Sequence, residues 1–196
     1  SKVYYTVEST KTRTWQEGSK TGIYCGSVNG SKAKLVKTIT QKAGNGKIQL
    51  VSVYGGKLYY RVNYSVYGDY ARRTPLYSLD LKTKKVKKVS GDFDSSYTYN
   101  SGGDRYLYGA SFGKDGLRIF DCKKDKFIRT ISTASAQGSA IDGGRLYYLV
   151  TNGEKDYTKI YSASRSGADR KPVLEGLPYN TWIDVICKDY ICYRTN

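Results

Sequence analysis

Apolar and polar residues alternate along this chain in short runs, and the runs come in pairs joined by two residues. The clearest pair is Ile48 to Tyr54, then Gly55-Gly56, then Lys57-Leu58-Tyr59-Tyr60. A period of two places successive side chains on opposite faces of a strand. The Gly-Gly step supplies the positive φ that a two-residue hairpin needs. The pair therefore reads as two antiparallel strands, A and B. Gly103-Asp104 and Gly143-Gly144 fill the same turn, and A strands are predicted over Ile48 to Tyr54, Tyr97 to Gly102, Ser139 to Asp142 and Trp182 to Cys187. A strand C follows B at Ile23-Tyr24, Leu76-Tyr77, Ile119-Phe120 and Ile160-Tyr161. A strand D closes each unit at Leu35 to Ile39, Val86 to Val89, Phe127 to Ile131 and Pro172 to Leu174. No helical periodicity runs longer than a turn or two.

The B strands share one frame. Lys57-Leu58-Tyr59-Tyr60 aligns with Arg145-Leu146-Tyr147-Tyr148, and Arg105-Tyr106-Leu107-Tyr108, Lys2-Val3-Tyr4-Tyr5 and Tyr190-Ile191-Cys192-Tyr193 are placed in the same frame. The last Tyr then recurs at 5, 60, 108, 148 and 193, a spacing of about 40 to 55 residues, close to that of propeller blades. Four antiparallel strands per unit, repeated radially, predict an all-β fold: a β-propeller of four-stranded blades in one domain. The units are 1–44 (partial), 45–93, 94–135, 136–176 and 177–196 (partial). The strand count fits either a four-bladed ring or an arc of a larger ring; a β-sandwich is the alternative fold. Ring closure requires the strand from Trp182 to Cys187 to join the sheet of Ile23.

The pattern Gly-Gly-x-Leu-Tyr-Tyr, then Ile/Leu-Tyr-Ser, a turn and a short strand resembles bacterial propeller repeats of the TolB-like and YWTD-like kinds. These occur in secreted or cell-surface proteins of Gram-positive bacteria, and one group is a domain of unknown function related to lipoprotein-receptor propellers. The resemblance spans nearly the whole chain and implies a secreted or surface location. Its motifs are strand signatures. The YWTD tetrad itself is absent, so receptor-type recognition does not transfer, and no catalytic residue is carried over.

Composition narrows the chemistry. The 196 residues hold 33 Lys and Arg against 17 Asp and Glu, a formal charge of +16, with 21 Tyr and neither His nor Met. Without His, the commonest general base and metal ligand is missing, and with it Ser-His and Cys-His nucleophile pairs. No catalytic residue, metal site or cofactor is assigned. No apolar run is long enough to span a bilayer. The chain starts at Ser1, consistent with a processed or excised form. The lysines concentrate on C–D hairpins: Lys82, Lys84, Lys85, Lys87 and Lys88, and Lys123, Lys124 and Lys126. Lys on outer strands discourages edge-to-edge pairing. The same charge permits weak attraction to an anionic cell-wall surface. Nucleic acid is disfavoured because no binding motif accompanies the charge.

Candidate sites follow from loop length. In a propeller the A–B and C–D turns share one end of the blades, and the B–C and D–A connections share the other. Here the first kind are tight and the second long and variable, which is where binding commonly lives. The long connections hold Trp15, Tyr64, Tyr67, Tyr70, Arg72, Asp94 and Tyr157, the candidate ligand-binding set. Tyr, Arg and Asp together suit a polysaccharide or a protein surface. A carbohydrate-active lyase or glycosidase is the alternative, with Asp69, Asp92, Asp94, Glu154 and Asp156 as available carboxylates. A third reading is a structural module of a larger surface protein. The repeated Tyr60, Tyr108, Tyr148 and Tyr193 are assigned to packing between blades rather than to a sugar platform.

Cys122 is placed in the slot of Leu79 and Ala163 as a buried thiol, and Cys25 in that of Ser78 and Ser162. Were the chain ends to share a blade, Cys25 would face Cys192. Cys187 is the competing partner of Cys192, and reduced thiols are preferred to either bridge. Self-association to complete the ring is a further expectation.

Overall fold

The computed structural model describes residues 2–8, 19–41, 48–62, 75–90, 105–110, 116–131, 136–152, 157–178, 181–187 and 190–195. These residues hold sixteen strands and no helix. The chain divides into two compact units, Ser1–Phe93 and Asp94–Asn196.

In the first unit, β1 (Lys2–Glu8), β2 (Ser19–Ser27) and β3 (Lys34–Gln41) form sheet I in the order β1-β2-β3. Sheet II is β4 (Ile48–Tyr54), β5 (Lys57–Val62), β6 (Leu76–Asp80) and β7 (Val86–Ser90), in chain order. In the second unit, β8 (Tyr106–Ala110), β9 (Leu117–Asp121) and β10 (Lys126–Ile131) form sheet III. Sheet IV is β11 (Ala136–Asp142), β12 (Arg145–Asn152), β13 (Tyr157–Ser164) and β14 (Lys171–Pro178), and β15 (Thr181–Cys187) pairs with β16 (Tyr190–Thr195) as sheet V. The predicted A, B, C and D strands map onto these, and the A strand at Tyr97 to Gly102 lies outside the described residues. Thus β15, the strand expected to join the sheet of Ile23, has β16 as its partner, while β2 is flanked by β1 and β3.

Turn chemistry fixes the registers. Gly55-Gly56 and Gly143-Gly144 both take positive φ, 57° and 76° in the first pair and 54° and 77° in the second. At the C–D turn of sheet II, Asp80 Oδ1 accepts from the backbone N–H groups of Lys82 (3.0 Å) and Thr83 (2.7 Å). In sheet III, Asp121 Oδ1 accepts from those of Lys123 (2.9 Å) and Lys124 (3.4 Å). Such Asx turns need no glycine, and the left-handed position falls on Lys84 and Asp125, four residues after each Asp. Sheets I and IV instead use Gly30 and Gly167, three residues after Ser27 and Ser164.

This turn equivalence corrects the frame of sheet III. Asp80 pairs with Lys57 and Asp121 with Tyr106. The backbone bond from Leu81 N–H to the Gly56 carbonyl recurs as Cys122 N–H to the Arg105 carbonyl, each 2.9 Å. Tyr106, Leu107 and Tyr108 therefore occupy the slots of Lys57, Leu58 and Tyr59. Tyr108 is not the counterpart of Tyr60, and Cys122 takes the slot of Leu81, not Leu79. A frame chosen by matching Tyr to Tyr slipped by one residue, and a one-residue slip exchanges the two faces of a strand. The other frames hold: Tyr5 pairs with Tyr24, Tyr60 with Tyr77 and Tyr148 with Tyr161. Tyr193 sits opposite Ile183 across a bulge, as Tyr60 sits opposite Leu50. Cys25 shares its slot with Ser78 and Ser162, opposite Tyr4, Tyr59 and Tyr147.

Each sheet has a front face, carrying the Leu58 and Tyr60 slots, and a rear face, carrying the Tyr59 slot. Within the first unit, Tyr4 and Ile23 from the rear of sheet I pack with Leu58, Tyr60, Val62 and Leu79 from the front of sheet II. Within the second, Tyr108, Leu117 and Ile119 from the rear of sheet III pack with Leu146, Tyr148 and Ala163 from the front of sheet IV. Leu149 and Ile160 from the rear of sheet IV meet Ile191 from the front of sheet V. Rear-to-front stacking of similar sheets is the packing of propeller blades. Tyr60, Tyr108 and Tyr148 are buried, as the packing assignment expects, whereas Tyr193, assigned with them, is exposed.

Candidate functional site

The two ends of the sheets differ in chemistry. The hairpin end is closed by the Gly-Gly and Asx turns. A strong charge pair there joins Arg105 to Asp121: Nε donates to Oδ1 at 2.9 Å and Nη2 to Oδ2 at 2.5 Å. Arg105 and the turn N–H groups hold the Asp121 carboxyl below the usual carboxylate range. Asp121 is 1% exposed, and this fork braces a turn rather than a ligand. The C–D hairpins here also carry exposed Lys82, Lys84, Lys85, Lys87, Lys88, Lys123, Lys124 and Lys126.

The opposite end, from which the long connections leave, has a polar layer inside the strands. In the first unit Arg61, next to the last residue of β5, is buried and donates through Nε to Gln49 Oε1 at 2.9 Å. Gln41 at the end of β3 and Thr21 near the start of β2 are buried as well. In the second unit Thr151 and Thr158 face each other across β12 and β13, both buried. Thr181, at the start of β15, donates from Oγ1 to the Pro178 carbonyl at 2.7 Å. At these strand ends the first unit offers a guanidinium and neutral donors and acceptors, and the second offers threonine hydroxyls. Among the described residues, no group of three or more His, Cys, Asp or Glu is placed to hold a metal.

Of the predicted site residues, Trp15, Tyr64, Tyr67, Tyr70, Arg72 and Asp94 lie outside the described residues, as do the carboxylates Asp69, Asp92, Glu154 and Asp156. Tyr157 was expected in a loop; it is the first residue of β13, paired with Asn152 and Pro178. The ladder continues further than the apolar run suggests because backbone pairing persists through polar Thr and Asn. Arg61 and Thr151 were missed by sequence reasoning. Their signal is a polar residue at the loop end of an otherwise apolar B strand. Cys25 and Cys192 are free thiols, and Cys122 is buried. The register sets Cys192 opposite Val185, so Cys187 is not its cross-strand neighbour.

Comparison with known proteins supports the fold and goes no further. No protein-family model matches the chain, and no curated protein matches it in sequence. Among solved structures, the β-propeller domain of the Trilobed protease from Pyrococcus furiosus matches with a TM-score of 0.58 at 11% identity. That match covers 100% of this chain and 60% of the other. A prolyl endopeptidase structure matches with a TM-score of 0.57 at 17% identity, over 92% of this chain and 26% of that one. An acylaminoacyl peptidase from Pyrococcus horikoshii matches with a TM-score of 0.53 at 13% identity, over 89% and 30%. This chain thus spans less than two thirds of each of these proteins. Its antiparallel sheets, stacked rear to front within each unit, define it as a β-propeller protein.

Proposed function

We propose that the chain is a binding module of a secreted or cell-surface protein, which holds a glycan or a protein partner against the B–C and D–A connections. The asymmetry of the sheet ends carries this reading. In each unit one end of the sheets is closed by tight turns, whereas the other ends in buried polar groups, Arg61 and Gln41 in the first unit and Thr151 and Thr158 in the second, and leads into long connections whose sequence is rich in Tyr, Arg and Asp. Aromatic rings together with polar side chains suit sugar hydroxyls and peptide surfaces alike. The surface location rests on the resemblance of the Tyr-rich repeat. The basic C–D hairpins add a weak, salt-sensitive attraction to anionic cell-wall polymer.

A glycan array and a surface-protein pull-down, each repeated with Trp15→Ala, Tyr67→Ala and Arg72→Ala, test the reading. Binding lost in these variants and retained in Lys85→Ala is the expected result. Binding that survives all three loop variants, or turnover of a polysaccharide without stable binding, overturns it.

A second reading is supported by the match to the propeller domain of a protease: the chain serves as a module within a larger enzyme. Its test is hydrolytic activity in a longer protein that contains this chain, lost when the chain is removed.

A further inference from the structure

The repeat itself identifies an unfilled surface. In sheets II and IV the front face is covered by the rear face of the sheet before it: Leu58 and Tyr60 are 0% and 2% exposed, and Leu146 and Tyr148 are both 0%. The same slots in sheet I are Val3 and Tyr5, followed by Val7 in the slot of Val62. They are 42%, 37% and 49% exposed, and Leu35 beside them on β3 is 54% exposed. These four side chains lie on one face, since β1 residues two apart point the same way and Leu35 is joined to Tyr5 through Tyr24. The ring pair is already formed, with Tyr5 stacked on Tyr24 at 5.6 Å and 14°. Among the described residues, sheet I thus presents a blade-facing surface that is left exposed.

Sheet V presents the complementary vacancy. Tyr190 occupies the slot of Tyr106, by the shared position opposite the turn. Tyr106 packs, from the rear of sheet III, against the Leu146 and Tyr148 cluster. Tyr190 is 70% exposed, and Cys192 and Arg194, on the same rear face, are exposed too. Sheet I of the first unit therefore shows an exposed front, and sheet V of the second an exposed rear. Exposed apolar side chains grouped on one strand face mark an interaction surface more often than scattered ones.

We propose that the front face of sheet I binds the rear face of sheet V of a second copy of this chain, a head-to-tail contact of the kind that stacks the sheets within each unit. The two faces differ, so the contact is heterologous. It closes into a ring of copies if the rotation allows and otherwise grows. Each copy carries a formal charge of +16, so like-charge repulsion opposes association and added salt relieves it. The contact is separate from the loop end, and loss of glycan or protein binding would leave it intact.

Sedimentation velocity across a dilution series, at low and high salt, reads the association. The expected result is a shift to larger species with concentration, several-fold tighter at high salt. Tyr5→Glu and Tyr190→Glu are each expected to abolish it; thermal unfolding of the dilute protein changes little in Tyr190→Glu, whose side chain is 70% exposed, and falls slightly in Tyr5→Glu, which loses its stacking on Tyr24. A Tyr5→Cys variant then reports the partner: oxidation is expected to join the introduced thiol to Cys192 of another copy and give covalent oligomers on a non-reducing gel. Three results overturn the proposal. They are a monomer at every concentration and salt, association untouched by both Glu variants, and a cross-link confined to single chains, which would mean that the chain covers its own face.

Discussion

Tyr5 with Tyr24 and Tyr60 with Tyr77 are the same pair built twice in one unit. Each joins strand B to strand C in the same register, with ring centroids 5.6 Å and 5.3 Å apart and planes inclined by 14° and 12°. Sheet IV repeats it with Tyr148 and Tyr161 at 5.8 Å and 18°. The surroundings are not the same. Tyr60 is 2% exposed and lies within the cluster of Ile23, Ile48 and Leu79, whereas Tyr5 is 37% exposed. Cross-strand pairing is a local matter, decided by register and twist. What the pair contributes to stability depends on whether a second sheet removes it from water.

The largest test of this contrast is truncation. Tyr60→Ala empties a filled site and is expected to cost about 3–5 kcal/mol, as for other buried aromatics. Tyr5→Ala in dilute protein is expected to cost under about 1 kcal/mol. Denaturant titration of both variants decides it, and equal losses would mean that the first sheet is covered.

The hairpin turns offer a second pair of equivalents. Asp121 and Asp80 make the same backbone bonds, but only Asp121 is also gripped by Arg105. Asp121→Asn keeps a turn acceptor and removes the charge. It is expected to cost about 2 kcal/mol, below the range for a fully buried pair because Arg105 remains partly in water. Asp80→Asn, on an exposed turn, is expected to cost less. The Asp121 carboxyl titrates below its unfolded value. Its contribution is therefore complete above the ordinary carboxylate range near pH ~4 and is lost as pH falls through the lowered folded value. Thermal melts across the acid range should show a smaller pH dependence in Asp121→Asn.

Gly167 and Gly30 share a turn position and a left-handed φ, 81° and 78°. A Cβ on Gly167 would lie 2.6 Å from Ile119 Cδ1 and 2.8 Å from Arg129 Cδ, while one on Gly30 would meet nothing within 4 Å. Gly30→Ala is expected to cost about 1 kcal/mol of backbone strain, and Gly167→Ala about 1–3 kcal/mol once the contact is added. Paired melting temperatures separate the two contributions.

A small effect is expected at Tyr108, whose hydroxyl donates to the Arg165 carbonyl at 2.9 Å. Tyr108→Phe is expected to cost about 1 kcal/mol at neutral pH. Burial raises the Tyr108 pKa above its ordinary value. The stability tied to its proton is full below pH ~10 and lost as pH rises towards the folded value. The variant should accordingly lose less stability than the native chain in alkali, read by circular dichroism at high pH.

The alternation of apolar residues and the Gly-Gly steps were enough to read strands A to D and their pairing, because hairpins are local and their turns carry their own φ requirements. They were not enough for sheet III. There Tyr108 invites a match to Tyr60, whereas Asp121 and its two N–H donors set the frame that puts it in the slot of Tyr59. The candidate site was legible only as loop length and composition. Arg61 and Gln49 escaped notice because their bond joins residues twelve apart on neighbouring strands, and nothing local in LYYRV announces it.

By itself, the sequence determined that this is an all-β repeat with tight turns at one end, since turn φ values and two-residue periodicity act over a few residues. Only the tertiary structure decided which face of each strand is buried and which tyrosines are stacked under a neighbouring sheet. The physical reason is that burial is a property of two surfaces meeting: Lys2-Val3-Tyr4-Tyr5 and Lys57-Leu58-Tyr59-Tyr60 are nearly the same words, and the sheet lying over the second is what makes them differ.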